Sequence, residues 1–204
     1  MAPTVQGQMK ALTDFGDAAI VMPLSVVMLV WLLRFHPRRA AVFWAVSVML
    51  CLAGTAFLKI LFYGCPPVSN LVSPSGHTSL SMLVYGAIAV VIAAEGRGWQ
   101  RVTVLVAGAA LIIGIAGSRL VLNKHSALEV GIGLLIGTLT LPLFAGGYLR
   151  RSEERPLLSL VLPAIAVVAI FHGQELRAES FLHAISRHLH LSGNVCVAQD
   201  YVPR

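Results

Sequence analysis

The sequence predicts an all-α fold, a polytopic membrane helix bundle of about six transmembrane helices, on three observations. Hydrophobic residues make up 57% of the 204 residues and charged residues only 12%, against about 25% charged in soluble proteins. The apolar residues form blocks close to the ~20 residues that cross ~30 Å of hydrocarbon. The alternation typical of barrel strands is absent, so helices are expected to satisfy the backbone in lipid.

Hydropathy places six spans along the chain, and we expect residues 1–171 to form one transmembrane domain. The first, fourth and sixth spans are short, so their flanking residues are expected to complete the crossing. Gly133 and Gly137, four residues apart, are expected to let neighbouring helices approach closely. The predicted spans cover residues 18–33, 40–62, 77–94, 102–117, 127–148 and 157–171, with Pro23, Pro142 and Pro163 inside three of them.

The first apolar block could instead be a cleaved signal peptide. Only Lys10 precedes it, no small-x-small cleavage pattern follows it, and the basic stretch RFHPRR comes directly after it. These features favour a retained span.

The arginines predict the orientation of the bundle. Connectors 34–39, 95–101 and 149–156 carry eight arginines, whereas loop 63–76 carries no lysine or arginine. By the positive-inside rule the arginine-rich connectors are cytoplasmic and both termini lie outside. We therefore expect a multi-pass protein of the cell membrane, in a bacterial inner membrane with the active site facing the periplasm or exterior. The net charge of +6 then reflects topology and contact with membrane lipids, and no nucleic-acid partner is expected.

Three polar stretches fall together on the predicted extracytoplasmic side. Charged side chains at the membrane boundary are costly, so a functional role is their default interpretation, although Lys59 could merely extend to the interface. The stretches are LKILFYGCPP with Lys59, PSGH with Ser75, Gly76 and His77, and GSRLVLNKHSALE with Ser118, Arg119, His125 and Glu129.

These residue types favour phosphate chemistry. Arginine and lysine bind oxyanions, and the N–H groups at a helix start add donors. Of two histidines, one can attack phosphorus as a neutral imidazole while the other protonates the departing oxygen. Glu129 follows His125 by four residues, so on a helix it can hold one ring nitrogen and present the other.

The same residues resemble the type 2 phosphatidic acid phosphatase superfamily, a family of membrane lipid phosphatases. Its signature is Lys-x6-Arg-Pro, then Pro-Ser-Gly-His, then Ser-Arg-x5-His-x3-Asp. The matching series here runs from Lys59 to Pro67, through Pro74-Ser75-Gly76-His77, to Ser118-Arg119 followed by His125 and Glu129. The resemblance covers about residues 59–129.

This resemblance implies a role for each site residue. His125 would be the nucleophile that forms a phosphohistidine, and His77 the general acid for the lipid leaving group. No metal and no cofactor are implied. The implied substrate is a lipid phosphate or pyrophosphate, such as phosphatidic acid, phosphatidylglycerophosphate or undecaprenyl pyrophosphate, and the implied phosphate ligands are Lys59, Ser75, Gly76 and Arg119.

Two departures from the signature leave alternatives open. Pro66 replaces the arginine of the first motif, and Glu129 replaces the aspartate of the third. Glutamate keeps the charge, but a lost charged hydrogen bond to phosphate costs roughly 1.5–3 kcal/mol; Lys124 could compensate in part. A weakened or non-catalytic homologue that binds lipid phosphate, a membrane assembly partner and a lipid phosphotransferase therefore remain alternatives to the hydrolase.

The tail, residues 172–204, is expected to be extracytoplasmic. Leu182, Ile185 and Leu189 have the spacing of an interfacial helix. Three tail histidines, at 183, 188 and 190, are expected to be solvated, with a metal site as the lesser alternative. Cys51 is expected to be a buried thiol, whereas Cys65 and Cys196 either pair or remain unpaired thiols. The oligomeric state and the choice among lipid substrates stay open.

Overall fold

The computed structural model describes residues 4–64, 73–149, 157–174 and 176. These ranges contain seven helices and no strand, which confirms the all-α prediction. The helices are α1 Val5–Asp14, α2 Ala18–Phe35, α3 Arg38–Gly64, α4 Gly76–Glu95, α5 Trp99–Val121, α6 Ala127–Tyr148 and α7 Leu158–Phe171.

The helices confirm a multi-pass membrane bundle. Five described segments are long and apolar enough to cross a membrane, the first of them running through α1 and α2, and α7 is a shorter apolar helix. The expected extension is seen for α5, which spans Trp99–Val121 instead of 102–117. In contrast, α7 has only 14 residues within the described range. Pro23, Pro142 and Pro163 lie inside α2, α6 and α7.

Helix α1 is the element that the hydropathy prediction missed. Its ten residues include polar and charged side chains, so it does not stand out as a membrane block. Thr4 caps its N-terminus by accepting a hydrogen bond from the Gly7 N–H. After a short turn, α2 begins with Asp17 as its N-cap. Gly16 allows this turn to pack tightly, because a Cβ there would lie 2.7 Å from Ile115 Cγ2 on α5.

Helix α4 lies in the middle of the bundle and packs against α2, α3, α5 and α6. Its contact with α6 is close at the two predicted glycines. A Cβ at position 133 would lie 2.6 Å from the Ser75 carbonyl oxygen, and one at position 137 would lie 2.5 Å from Met82 Cβ. The predicted packing role of Gly133 and Gly137 is therefore confirmed.

The alternation of the helices separates two ends of the bundle. Connectors 34–39 and 95–101, with their arginines, lie at the end where α2 and α4 finish. The opposite end collects the starts of α2, α4 and α6 and the ends of α3 and α5. The described residues of all three predicted motif stretches belong to that second end. Cys51, inside α3, is a free buried thiol as predicted.

Candidate active site

The start of α4 forms the floor of the candidate site. The Ser75 N–H donates a hydrogen bond to the Glu129 carbonyl oxygen (3.1 Å), which joins the first turns of α4 and α6. The Ser75 hydroxyl accepts from Thr78 Oγ1 (2.8 Å) instead of capping the helix. The N–H groups of the first turn, beginning at Gly76, therefore point out of the helix end. Such an end favours an anion.

Lys59 brings a cation to this floor from the last turns of α3. Its side chain is only 2% exposed, so it is buried within the protein and does not extend to the interface. A Cβ at Gly76 would lie 3.9 Å from Lys59 Cε and equally far from Thr55 Cγ2. The missing side chain at Gly76 leaves the helix start open beside the lysine.

His125 and Glu129 form the predicted pair in the turn between α5 and α6. Their Nδ1 and Oε1 atoms are 3.5 Å apart. Glu129 is held by a capping box: its Oε2 accepts from the Ser126 N–H (2.6 Å), and its own N–H donates to Ser126 Oγ (3.3 Å). One carboxylate therefore caps α6 and faces the imidazole. The longer glutamate side chain at this position is compatible with both contacts.

The environment of His125 favours its neutral form. Burial is the main cause that lowers its pKa below the ordinary 6.5, and the positive charges of Arg119 and Lys59 lower it further, whereas the negative charge of Glu129 opposes them. A neutral imidazole at neutral pH is the form that can act as a nucleophile. Arg119 and Lys59 therefore act electrostatically on the His125 imidazole.

Arg119 lies at the end of α5 and is buried. Its Nη1 donates to Thr13 Oγ1 of α1 (3.3 Å). The preceding Ser118 turns its hydroxyl into its own helix, where it donates to the Ile115 carbonyl (2.7 Å). Lys124, the candidate for compensating the lost arginine, is exposed in the turn before His125.

His77 has a partner that the sequence analysis missed. Its Nε2 lies 3.3 Å from Oδ2 of Asp17, the N-cap of α2. Thr13 and Asp17 both come from the segment before the first predicted span. A signal was available, because the predicted topology places these polar residues on the same side of the membrane as the three motifs, and an aspartate directly before an apolar helix is a typical N-cap.

The structure thus brings together all seven predicted site residues at one end of the bundle and adds Thr13 and Asp17.

A family model, the PAP2 superfamily, matches residues 60–153. The match confirms the predicted resemblance to the type 2 phosphatidic acid phosphatase superfamily. The matched range contains His77, His125 and Glu129, and begins one residue after Lys59. The match to the PAP2 superfamily indicates phosphatase-type activity, and the long apolar helices indicate a multi-pass membrane protein. No curated protein and no solved structure was found to match the chain.

Several predicted features lie outside the described residues. These are the first-motif prolines Pro66 and Pro67, the cysteines Cys65 and Cys196, and the tail with its predicted interfacial helix and histidines, of which only His172 to Gln174 and Leu176 are described.

Proposed function

We propose that this protein hydrolyses a lipid phosphate or pyrophosphate through a phosphohistidine on His125. The observation that carries the proposal is the convergence of two histidine–carboxylate pairs and two buried cations on the start of α4. The pairs are His125 with Glu129 and His77 with Asp17, and the cations are Lys59 and Arg119.

The proposed reaction has two steps. Because Glu129 faces His125 Nδ1, Nε2 attacks phosphorus; the P–N bond forms as the bond to the leaving oxygen breaks, and His77 gives that oxygen a proton. Water then attacks the phosphohistidine and loses a proton to His77, while the bonding pair returns to His125 and inorganic phosphate leaves. The helix-start donors and the two cations stabilise the charge on the phosphoryl oxygens.

An apolar cavity supports a substrate with a hydrocarbon tail. It has a volume of about 350 Å³ and lies between α2, α4 and α7, with Leu24, Tyr85, Ala164 and Val168 in its lining. Tyr85 lies about 12 Å along α4 from His77, and its hydroxyl donates to the Phe15 carbonyl beside the site (2.6 Å). A tail in this cavity would continue from a phosphate held at the start of α4.

Phosphate release by the purified protein tests the reaction. The panel is phosphatidic acid, phosphatidylglycerophosphate and undecaprenyl pyrophosphate in detergent micelles. His125→Ala and His77→Ala are expected to abolish turnover, and His172→Ala, which changes an exposed histidine near Phe15, is expected to retain it. Chelation by EDTA is expected to have no effect. Full turnover in folded His125→Ala would overturn the mechanism.

The products separate the hydrolase from its alternatives. Inorganic phosphate and an acid-labile, alkali-stable phosphoenzyme on His125 are expected. Phosphate appearing on a second added lipid would identify a phosphotransferase instead, and binding of every panel member without turnover would identify a non-catalytic homologue.

A substitution in the cavity tests whether the substrate is a lipid. Ala164→Trp fills the cavity and is expected to raise KM for long-chain phosphatidic acid more than for a short-chain analogue. Ile170→Trp is the matched control, since Ile170 is 64% exposed on the same helix. Equal effects on both chain lengths would show that the tail lies elsewhere.

We also propose that the site faces the outside of the cell, because the arginine-rich connectors 34–39 and 95–101 lie at the opposite end of the bundle. In a variant without native cysteines, Lys124→Cys is expected to react with a membrane-impermeant thiol reagent in intact cells, whereas Gln100→Cys is expected to react only after lysis. Both positions are exposed at opposite ends of the bundle. The reverse pattern would invert the topology.

A further inference from the structure

The carboxylate of Asp17 occupies a position that neither the family match nor the sequence motifs explain. It lies in the turn between α1 and α2, well before residues 60–153. The side chain is buried, at 7% exposure, and its Oδ2 lies 3.3 Å from His77 Nε2. A buried carboxylate is costly unless it is paired, and the partner of Oδ2 is the His77 ring, a residue of the candidate site.

The rest of the Asp17 side chain is held firmly. Its Oδ1 accepts from the Ala19 N–H (2.8 Å) and from the Leu176 N–H (3.1 Å). The first bond caps α2, and the second ties the segment after α7 to the turn. The Phe15 and His172 rings, 5.0 Å apart, add a contact between the same two segments. With Oδ1 occupied in this way, Oδ2 is directed at the imidazole.

We propose that Asp17 is a positioning residue for His77: its carboxylate holds the ring at Nε2 and stabilises the protonated imidazole, so that Nδ1 faces the leaving oxygen. This role rests on the proposed function, in which His77 is the general acid. When Nδ1 gives its proton to the leaving oxygen, the ring becomes neutral. It keeps the proton on Nε2, which donates a hydrogen bond to the Asp17 carboxylate. The proton taken from water in the second step restores the imidazolium.

The other charges around α4 explain why such a partner is required. The site already holds two buried cations, on α3 and α5, so a third positive charge needs a carboxylate beside it. The Glu129 carboxylate on α6 is already engaged with Ser126 and faces His125. Asp17 supplies the negative charge on the α2 side of His77. The groups from the surrounding elements are Lys59, Arg119, His125 and Glu129, with Asp14 and His172 flanking the turn.

Asp17→Asn tests the proposal with little disturbance of the fold. Asparagine is as good an N-cap as aspartate, and its amide oxygen can accept the same two N–H groups. The imidazolium is the proposed proton donor, and asparagine removes the negative charge that Asp17 Oδ2 places 3.3 Å from it. The alkaline limb of the kcat profile is therefore expected to move down by about one pH unit. Turnover is measured on phosphatidic acid and undecaprenyl pyrophosphate in micelles.

Asp17→Ser is the second variant, because serine also caps a helix but is too short to reach His77, and it is expected to move the alkaline limb in the same direction. Glu95→Gln is the matched control. It removes a carboxylate from the other end of α4, where Glu95 accepts from the Tyr148 hydroxyl (3.2 Å), and is expected to leave the profile unchanged.

The outcomes separate this proposal from the proposed function. If His77→Ala is inactive but both folded Asp17 variants keep the wild-type alkaline limb, the positioning role is wrong and Asp17 only caps α2. A uniform loss of kcat without a shift in pH dependence leads to the same conclusion. If His77→Ala is fully active, the assignment of the general acid fails instead.

Discussion

Gly133→Ala tests the contact that holds α6 against the start of α4. A Cβ at position 133 would lie 2.6 Å from the Ser75 carbonyl oxygen and 3.3 Å from Thr78 Cβ. Real Cβ atoms essentially never approach within 3.0 Å, and ordinary contacts begin at 3.4 Å. The second turn of α6 and the first turn of α4 must therefore separate by several tenths of an ångström. The Ser75 N–H bond to the Glu129 carbonyl crosses this same junction.

The expected effect is on catalysis as well as stability. A misplacement of about 1 Å can cost a reaction about 10²-fold, so roughly half that displacement predicts a loss of kcat/KM on the order of tenfold. Forcing an extra carbon into a packed contact costs about 1–3 kcal/mol of unfolding free energy. Phosphate release from the micellar lipid panel and thermal unfolding in the same detergent measure the two effects.

Gly131→Ala is the control on the same helix. A Cβ at position 131 meets no described atom within 4 Å, so this variant is expected to match the wild type in both measurements. Wild-type kcat/KM and stability in Gly133→Ala would refute the reasoning, because the start of α4 would then tolerate displacement from α6.

Three further predictions concern the pairs around the site. Activity requires neutral His125, and its pKa is lowered mainly by burial and then by Arg119, so the acid limb of the kcat/KM profile is expected below pH 6.5; a limb above 6.5 would contradict this environment. Thr13→Val removes the acceptor for Arg119 Nη1, a hydrogen bond from a charged group of about 1.5–3 kcal/mol, and steady-state kinetics should show KM raised by about tenfold or more. An unchanged KM would show that other contacts hold Arg119. Ser126→Ala removes the N-cap of α6, at about 1 kcal/mol, and is expected to lower Tm; an unchanged Tm would rule out a stabilising cap.

The chemistry of the site could be predicted because it is local in sequence. Residue type alone indicates the chemistry of lysine, arginine, histidine and a glycine at a helix start. His125 and Glu129 are only four residues apart. The capping box of Ser126 and Glu129 was not predicted, although a serine followed three residues later by glutamate is its sequence signature. The membrane spans were equally accessible, since the bilayer requires long apolar helices whatever their partners.

The sequence by itself therefore determined the membrane environment of this protein, its main helices and the reactive groups of its candidate site. Only the tertiary structure decided which groups meet across the bundle. Thr13 reaches Arg119 across 106 positions of sequence, and Asp17 reaches His77 from a turn that follows a short, polar helix. No periodicity or spacing encodes such contacts. They arise because packing of α1 on α5 and of α2 on α4 folds the N-terminal segment over the end of the bundle.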